Sequence, residues 1–120
     1  GKTLTGLLIY QKNFRYNCIM IVFTTVPNSS QAEALAEAIV NARLAACVQI
    51  LPPMTSIYIW EGKVQKEAEV LLLIKTLPEK FNELERFIID HHSYDVPEIV
   101  AVEPAKISAS YLKWMQRVIS

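Results

Sequence analysis

The order of apolar runs and amphipathic stretches in this chain predicts an α+β domain: an antiparallel sheet with helices packed on one face. Three observations carry that prediction. Strand-like and helix-like segments follow one another as strand, helix, strand, strand, helix, strand and a final helix. The stretch 56–76 alternates with a period of two around one glycine, Gly62, which marks a long hairpin. The chain has 120 residues, the size of one ordinary domain, and can bury a core without disulfide or metal staples.

The elements read as follows. "MIVFTTV" (20–26) is a β-branched run and predicts a buried strand. Ser30 and Glu33 have capping-box spacing, and Ala32, Leu35, Ala36, Ile39 and Val40 then recur at helical spacing toward Leu44. "ACVQIL" (46–51) returns to strand character, and Pro52-Pro53 force a bend because proline cannot donate to a ladder. On the hairpin, Tyr58 and Trp60 share one face of the first arm, with Ile57 and Ile59 on the other. The second arm alternates until residues 70–74, where both faces are apolar and both need cover. Glu67 and Glu69 read as a solvated strand face. Thr76 and Glu79 suggest a second capping box, with Pro78 in the permitted first turn and Phe81, Leu84 and Ile88 on the helix face beyond it. Pro97 and the polar cluster before it stop that helix ahead of the strand "EIVAVE" (98–103). Ser108 is placed to cap a last helix with Tyr111, Leu112, Met115, Val118 and Ile119 on its apolar side. Helices returning between strands in this order describe the split βαβ, ferredoxin-like arrangement, with one extra C-terminal helix.

Composition narrows the function. Formal net charge is zero, yet residues 1–19 hold Lys2, Lys12 and Arg15 and no acid, so the remainder carries nine basic against twelve acidic residues. No basic stripe points to nucleic acid. No apolar run approaches the ~20 residues of a membrane span. "GLLIY" is too short for a signal-peptide core and no small-residue cleavage site follows it. Residues 1–19 are therefore read as a leader, or an extension that is not native, before a domain at 20–120. Cys18 and Cys47 form no CxxC or zinc-ligand spacing, which suits a reducing, cytoplasmic setting. Hydrophobic residues make up 52% of the chain, more apolar surface than a small domain easily hides, and oligomerisation is one way to hide it.

"TTVPN", "RLAACV", "SIYIWEGKV", "EVLLLIKT", "HHSYDVPEIVAV" and "YLKWM" occur in that order. Together they resemble the CutA family of divalent-cation-tolerance proteins over residues 20–120. The resemblance implies a ferredoxin-like subunit in a tight homotrimer built like the PII signalling proteins. It also implies copper or other divalent ions as ligands, and a part in the response to metal ions rather than a catalysed reaction. The family pattern is His-Pro-Tyr, and here Ser93 takes the middle place, so His92 is the histidine that fits.

The candidate metal ligands are Cys47 and His92. A thiolate suits Cu(I), and the structural alternative for Cys47 is a small buried hydrophobe. His91 falls near the Phe81/Leu84/Ile88 face and reads as a partly buried, hydrogen-bonded side chain, while His92 stands freer at the helix end. One Cys and one His make half a site at most; symmetry copies complete it, or the binding is adventitious. Tyr58, Trp60, Glu61, Lys75, Tyr94 and Glu98 are the candidate walls of a cleft between subunits. No catalytic residue is assigned: only three glycines are present, none in a phosphate-cradling loop, and no Ser/His/Asp or Cys/His motif has a recognisable context. No organic cofactor, nucleic acid or membrane partner is expected. The alternatives to a metal-binding trimer are a small-molecule-binding signalling trimer, a structural trimer that anchors another protein, and an enzyme working in the cleft with His92 or Glu98 as base.

Overall fold

Seven residues, Met20–Val26, form the central strand β1, and the computed structural model, which describes residues 18–119, builds the other elements around it. They are α1 (Ser29–Asn41), β2 (Cys47–Ile50), β3 (Met54–Trp60), β4 (Lys63–Thr76), a short 3₁₀ turn at Pro78–Lys80, α2 (Phe81–His91), β5 (Val100–Val102) and α3 (Ala109–Ile119). The sheet order is β2-β4-β1-β5, every pair antiparallel, and β3 runs beside β4 beyond the bend at Pro52 and Pro53. This is the ferredoxin-like sheet predicted from the sequence.

Register decides which side chains meet. Val22 lies opposite Ile74 and Ala101, and Val48 also faces Ile74, so these point to one face. There they pack under Leu35, Ala36 and Ile39 of α1 and Leu84 and Ile88 of α2. Ile21, Phe23, Leu71 and Leu73 alternate with them and point to the other face, where all four stay half-buried. At one end of that second face α3 lies on the sheet, Met115 and Ile119 packing with Ile19, Leu77 and Ile21. Cys18 and Ile19, which the sequence assigned to the leader, are described with the folded body, Ile19 in the core and the Cys18 thiol 3.9 Å from the Pro104 carbonyl; residues 1–17 of the expected leader lie outside the described residues.

Several local expectations are corrected. The α1 cap is Asn28, whose side-chain oxygen accepts the Gln31 N–H at 2.8 Å, so the Ser30/Glu33 box does not form. Asn is as good a cap as Ser, and the helix starts two residues sooner. α1 ends at Asn41, and Arg43 follows with a positive φ of 61°. Thr76 is not a cap either: it ends β4, and its hydroxyl donates to the Leu44 carbonyl at 2.6 Å, tying β4 to the chain that leaves α1. Ser108 does accept the Tyr111 N–H, at 3.4 Å. Val118, expected on the apolar side of α3, is 37% exposed because it lies at the margin of the buried stripe.

Thr24, fully buried opposite Leu72, has a hydroxyl with no hydrogen-bond partner among the described residues. Burying an unpaired hydroxyl costs about 1–3 kcal/mol. Thr24→Val keeps the branched shape and removes that group, so denaturant unfolding should show a gain of roughly 1 kcal/mol. A loss would mean the hydroxyl has a partner.

The β3–β4 arm is the least covered part of the molecule. A 14-residue strand runs ~48 Å at ~3.4 Å per residue, and β1 accompanies only its second half. Residues 63–69 have β3 on one side and, among the described residues, no strand on the other. Ile57, Ile59 and Val64 are 67%, 73% and 72% exposed on one face of the arm, and Trp60 is half-exposed on the other.

Candidate functional site

The arm turns at Glu61-Gly62, both at positive φ (51° and 78°), as two-residue hairpin turns require. Counting back from that turn fixes the pairs Trp60–Lys63, Tyr58–Gln65, Ser56–Glu67 and Met54–Glu69. Tyr58 and Trp60 therefore share their face with Glu67 and Glu69. Across from them stands the loop between α2 and β5, residues 92–99, held by His92. The Tyr94 N–H donates to His92 Nδ1 at 3.0 Å, and His92 Nε2–H donates to the Thr25 carbonyl at 2.7 Å. The same ring lies 4.9 Å from the Tyr94 ring, centre to centre. With Nδ1 accepting and Nε2 donating, the ring is the neutral Nε2–H tautomer.

Between arm and loop opens a cleft of about 820 Å³, walled by Tyr58, Trp60 and Tyr94 and carrying Glu67, Glu69, Asp95 and Glu98. The Tyr94 hydroxyl donates to Glu69 Oε2 at 3.1 Å. Partial burial and then the Glu69 hydrogen bond push the Tyr94 phenol up to about 12; Tyr58 is raised too, by burial and by Glu67. A phenol raised in the fold stays protonated where the unfolded chain would ionise. Its contribution to stability is thus intact below pH ~10 and lost as pH rises toward ~12. Ultraviolet phenolate titration should show one tyrosine ionising last, and Tyr94→Phe should remove that step.

Tyr58, Trp60, Tyr94 and Glu98 meet in this cleft. Glu61 sits at the arm's turn, outside it. Lys75, expected in the cleft, lies at the α3 end of the sheet with its ammonium 5.3 Å from the Tyr111 ring centre, because residue 75 falls beyond the stretch of β4 that faces the loop. The expected solvated face holds for Glu67, which is exposed at the cleft wall, but not for Glu69, which is 9% exposed because Tyr94 and the loop cover it. Pairing counted from Glu61-Gly62 would have placed both acids on the face of the arm that carries Tyr58.

His91 is exposed rather than partly buried. Its Nδ1 donates to the Phe87 carbonyl at 2.8 Å, and its ring stacks on Phe87 at 4.0 Å. His92 is not free, since both ring nitrogens are engaged. Cys47 is a half-buried free thiol on the second face, paired in register with Lys75. Lys75 aligns with Ile21, four residues along β1 from the Thr25 that His92 contacts, a span of ~13 Å at ~3.3 Å per residue. Within one chain Cys47 and His92 therefore do not share an ion. Among the described residues, no three His, Cys, Asp or Glu side chains are grouped closely enough to hold a metal, and no helix is long and apolar enough to cross a membrane.

Fold and cleft together define a ferredoxin-like α+β domain with an acidic, aromatic-walled cleft beside a projecting arm. The family profile described as CutA1 divalent ion tolerance protein matches residues 20–118, and the chain belongs to that family. The divalent-cation tolerance protein CutA of Thermus thermophilus is 45% identical over 96 residues, covering 80% of this chain and 93% of that protein. The chloroplastic protein CutA of Arabidopsis thaliana is 43% identical over 97 residues, covering 81% of this chain and 53% of that protein, so the chain spans about half the length of this plant relative. The crystal structure of CutA1 from Oryza sativa superposes with a TM-score of 0.83 at 40% identity, covering 86% of this chain and 94% of that one.

Proposed function

We propose that the protein works as a homotrimer in the cytoplasm, binding copper or another divalent ion as part of the response to metal ions, without catalysing a reaction. The observation that supports the assembly is the β3–β4 arm, with Ile57, Ile59 and Val64 exposed on one face and, among the described residues, one edge unpaired along residues 63–69. A monomer with such an edge invites pairing with other chains; a closed ring of three satisfies it. Leu71 and Leu73 on the second face of the sheet would be covered in the same step. Family membership supports the tolerance reading.

The metal reading needs ligands from more than one subunit. Cys47 supplies the soft donor for Cu(I). His92 would have to give up the Tyr94 or Thr25 contact to serve as a second ligand. Light scattering at low micromolar concentration tests the assembly: a mass near the 13.6 kDa of one chain sinks it. Copper titration under reducing conditions tests the ligands. Equal affinity in Cys47→Ser and the parent removes Cys47 from the site.

The cleft favours a second reading, a trimer that binds a small molecule. It gathers Tyr58, Trp60, Tyr94 and Glu98 in a volume suited to organic ligands.

A further inference from the structure

The charge and shape of the cleft select a class of ligand. Its walls hold Glu67, Glu69, Asp95 and Glu98, and among the described residues no lysine, arginine or histidine lines it. Glu69 is nine-tenths buried, and the Tyr94 hydroxyl that donates to it is neutral, so its charge is not cancelled there. A carboxylate withdrawn from water without a cation is costly, which makes the cleft a place where an incoming cation gains more than it would at the open surface.

Two features separate an organic cation from a bare metal ion. A divalent metal gathers several oxygens at ~2.0–2.6 Å around one point. Here the carboxylates are spread around about 820 Å³, within the size range of small-molecule sites. The second feature is the aromatic wall. Tyr58, Trp60 and Tyr94 present ring surface, which attracts ammonium groups and covers methylene chains but gives a hydrated metal ion little.

We propose that the cleft binds an organic cation with two or more ammonium groups, of the aliphatic polyamine class. One ammonium sits against Glu69, and the methylene chain lies along Tyr58 and Trp60 toward Glu98. This rests on the small-molecule reading of the cleft and on the cleft staying open at the subunit boundary of the trimer.

Calorimetric titration of the whole protein with spermidine tests it, with Mg²⁺ as a separate titrant and light scattering on the same samples. Saturable binding at one site per chain is expected, weakened about tenfold by Glu69→Gln, the fold-change of one lost charge-assisted hydrogen bond. Glu98→Gln, at an exposed position, should weaken it severalfold and guards against misfolding of the first variant. Mg²⁺ at equal concentration should leave spermidine bound. Absence of binding, equal binding by both variants and the parent, or displacement by equimolar Mg²⁺ overturns the proposal. A trimer that ignores spermidine overturns this inference alone; a monomer that binds it through Glu69 overturns the assembly alone.

Discussion

Replacing Leu73 by aspartate is expected to abolish the proposed trimer. Leu73 lies opposite Phe23 and Gln49, on the sheet face that α1 and α2 do not cover. It is half-buried within one chain, so the substitution can be borne by a subunit that stays alone. In the assembled ring the same position would be enclosed, and an unpaired buried carboxylate costs several kcal/mol. Each of three copies would bear that cost, against an obligate interface that typically buries more than ~2,000 Å². Light scattering should therefore change from three chain masses to one, or to aggregate, while Glu37→Lys on the exposed side of α1 leaves the proposed trimer intact. A Leu73→Asp protein that remains trimeric would show that this face is not the interface.

His92→Ala should give the largest loss of stability among changes around the cleft. It removes the acceptor for the Tyr94 N–H and the donor to the Thr25 carbonyl, both in partly buried surroundings. Leaving such groups unpaired costs about 1–3 kcal/mol each, so a total of roughly 2–4 kcal/mol is expected. At fixed protein concentration that lowers the melting temperature by on the order of 10 °C. The loop should loosen with it, and the late tyrosine ionisation near pH 12 should fall back toward the ordinary phenol range as the Tyr94–Glu69 hydrogen bond is lost. His91→Ala is the control. Its ring is exposed and bonds only to its own helix among the hydrogen bonds seen, so the change should stay within about 0.5 kcal/mol. Equal losses at the two histidines would mean that His92 does not anchor the loop.

Much of the fold was legible in the sequence because it is written in local periodicity. Val22, Val70, Leu72 and Ile74 alternate with less buried neighbours as strands require, and Leu84 and Ile88 recur as a helix face requires. The doubled apolar character of residues 70–74 also announced that both faces of β4 need cover. Capping was read less well. Asn28, Ser29 and Ser30 are all competent caps in a row, and which one serves depends on where α1 seats Ala32 and Leu35 against the sheet. Thr76 has the spacing of a cap, but the Leu44 carbonyl, 32 residues away, claims its hydroxyl.

The sequence by itself determined the α+β class, the order of elements, the turn at Gly62 and the aromatic pair Tyr58 and Trp60 on one strand face. Only the tertiary structure decided that Glu69 is buried in a cleft with the exposed Glu67 at its wall, that Lys75 belongs to the α3 end, and that His92 holds a loop instead of standing free. The reason is physical. A strand's alternation says which residues share a face, but not what that face meets. The partner of Glu69 is Tyr94, 25 residues on, brought back by a loop whose course is fixed by a hydrogen bond from His92 to Thr25, 67 residues away. Contacts over such separations form only when the whole sheet closes, and no local pattern encodes them.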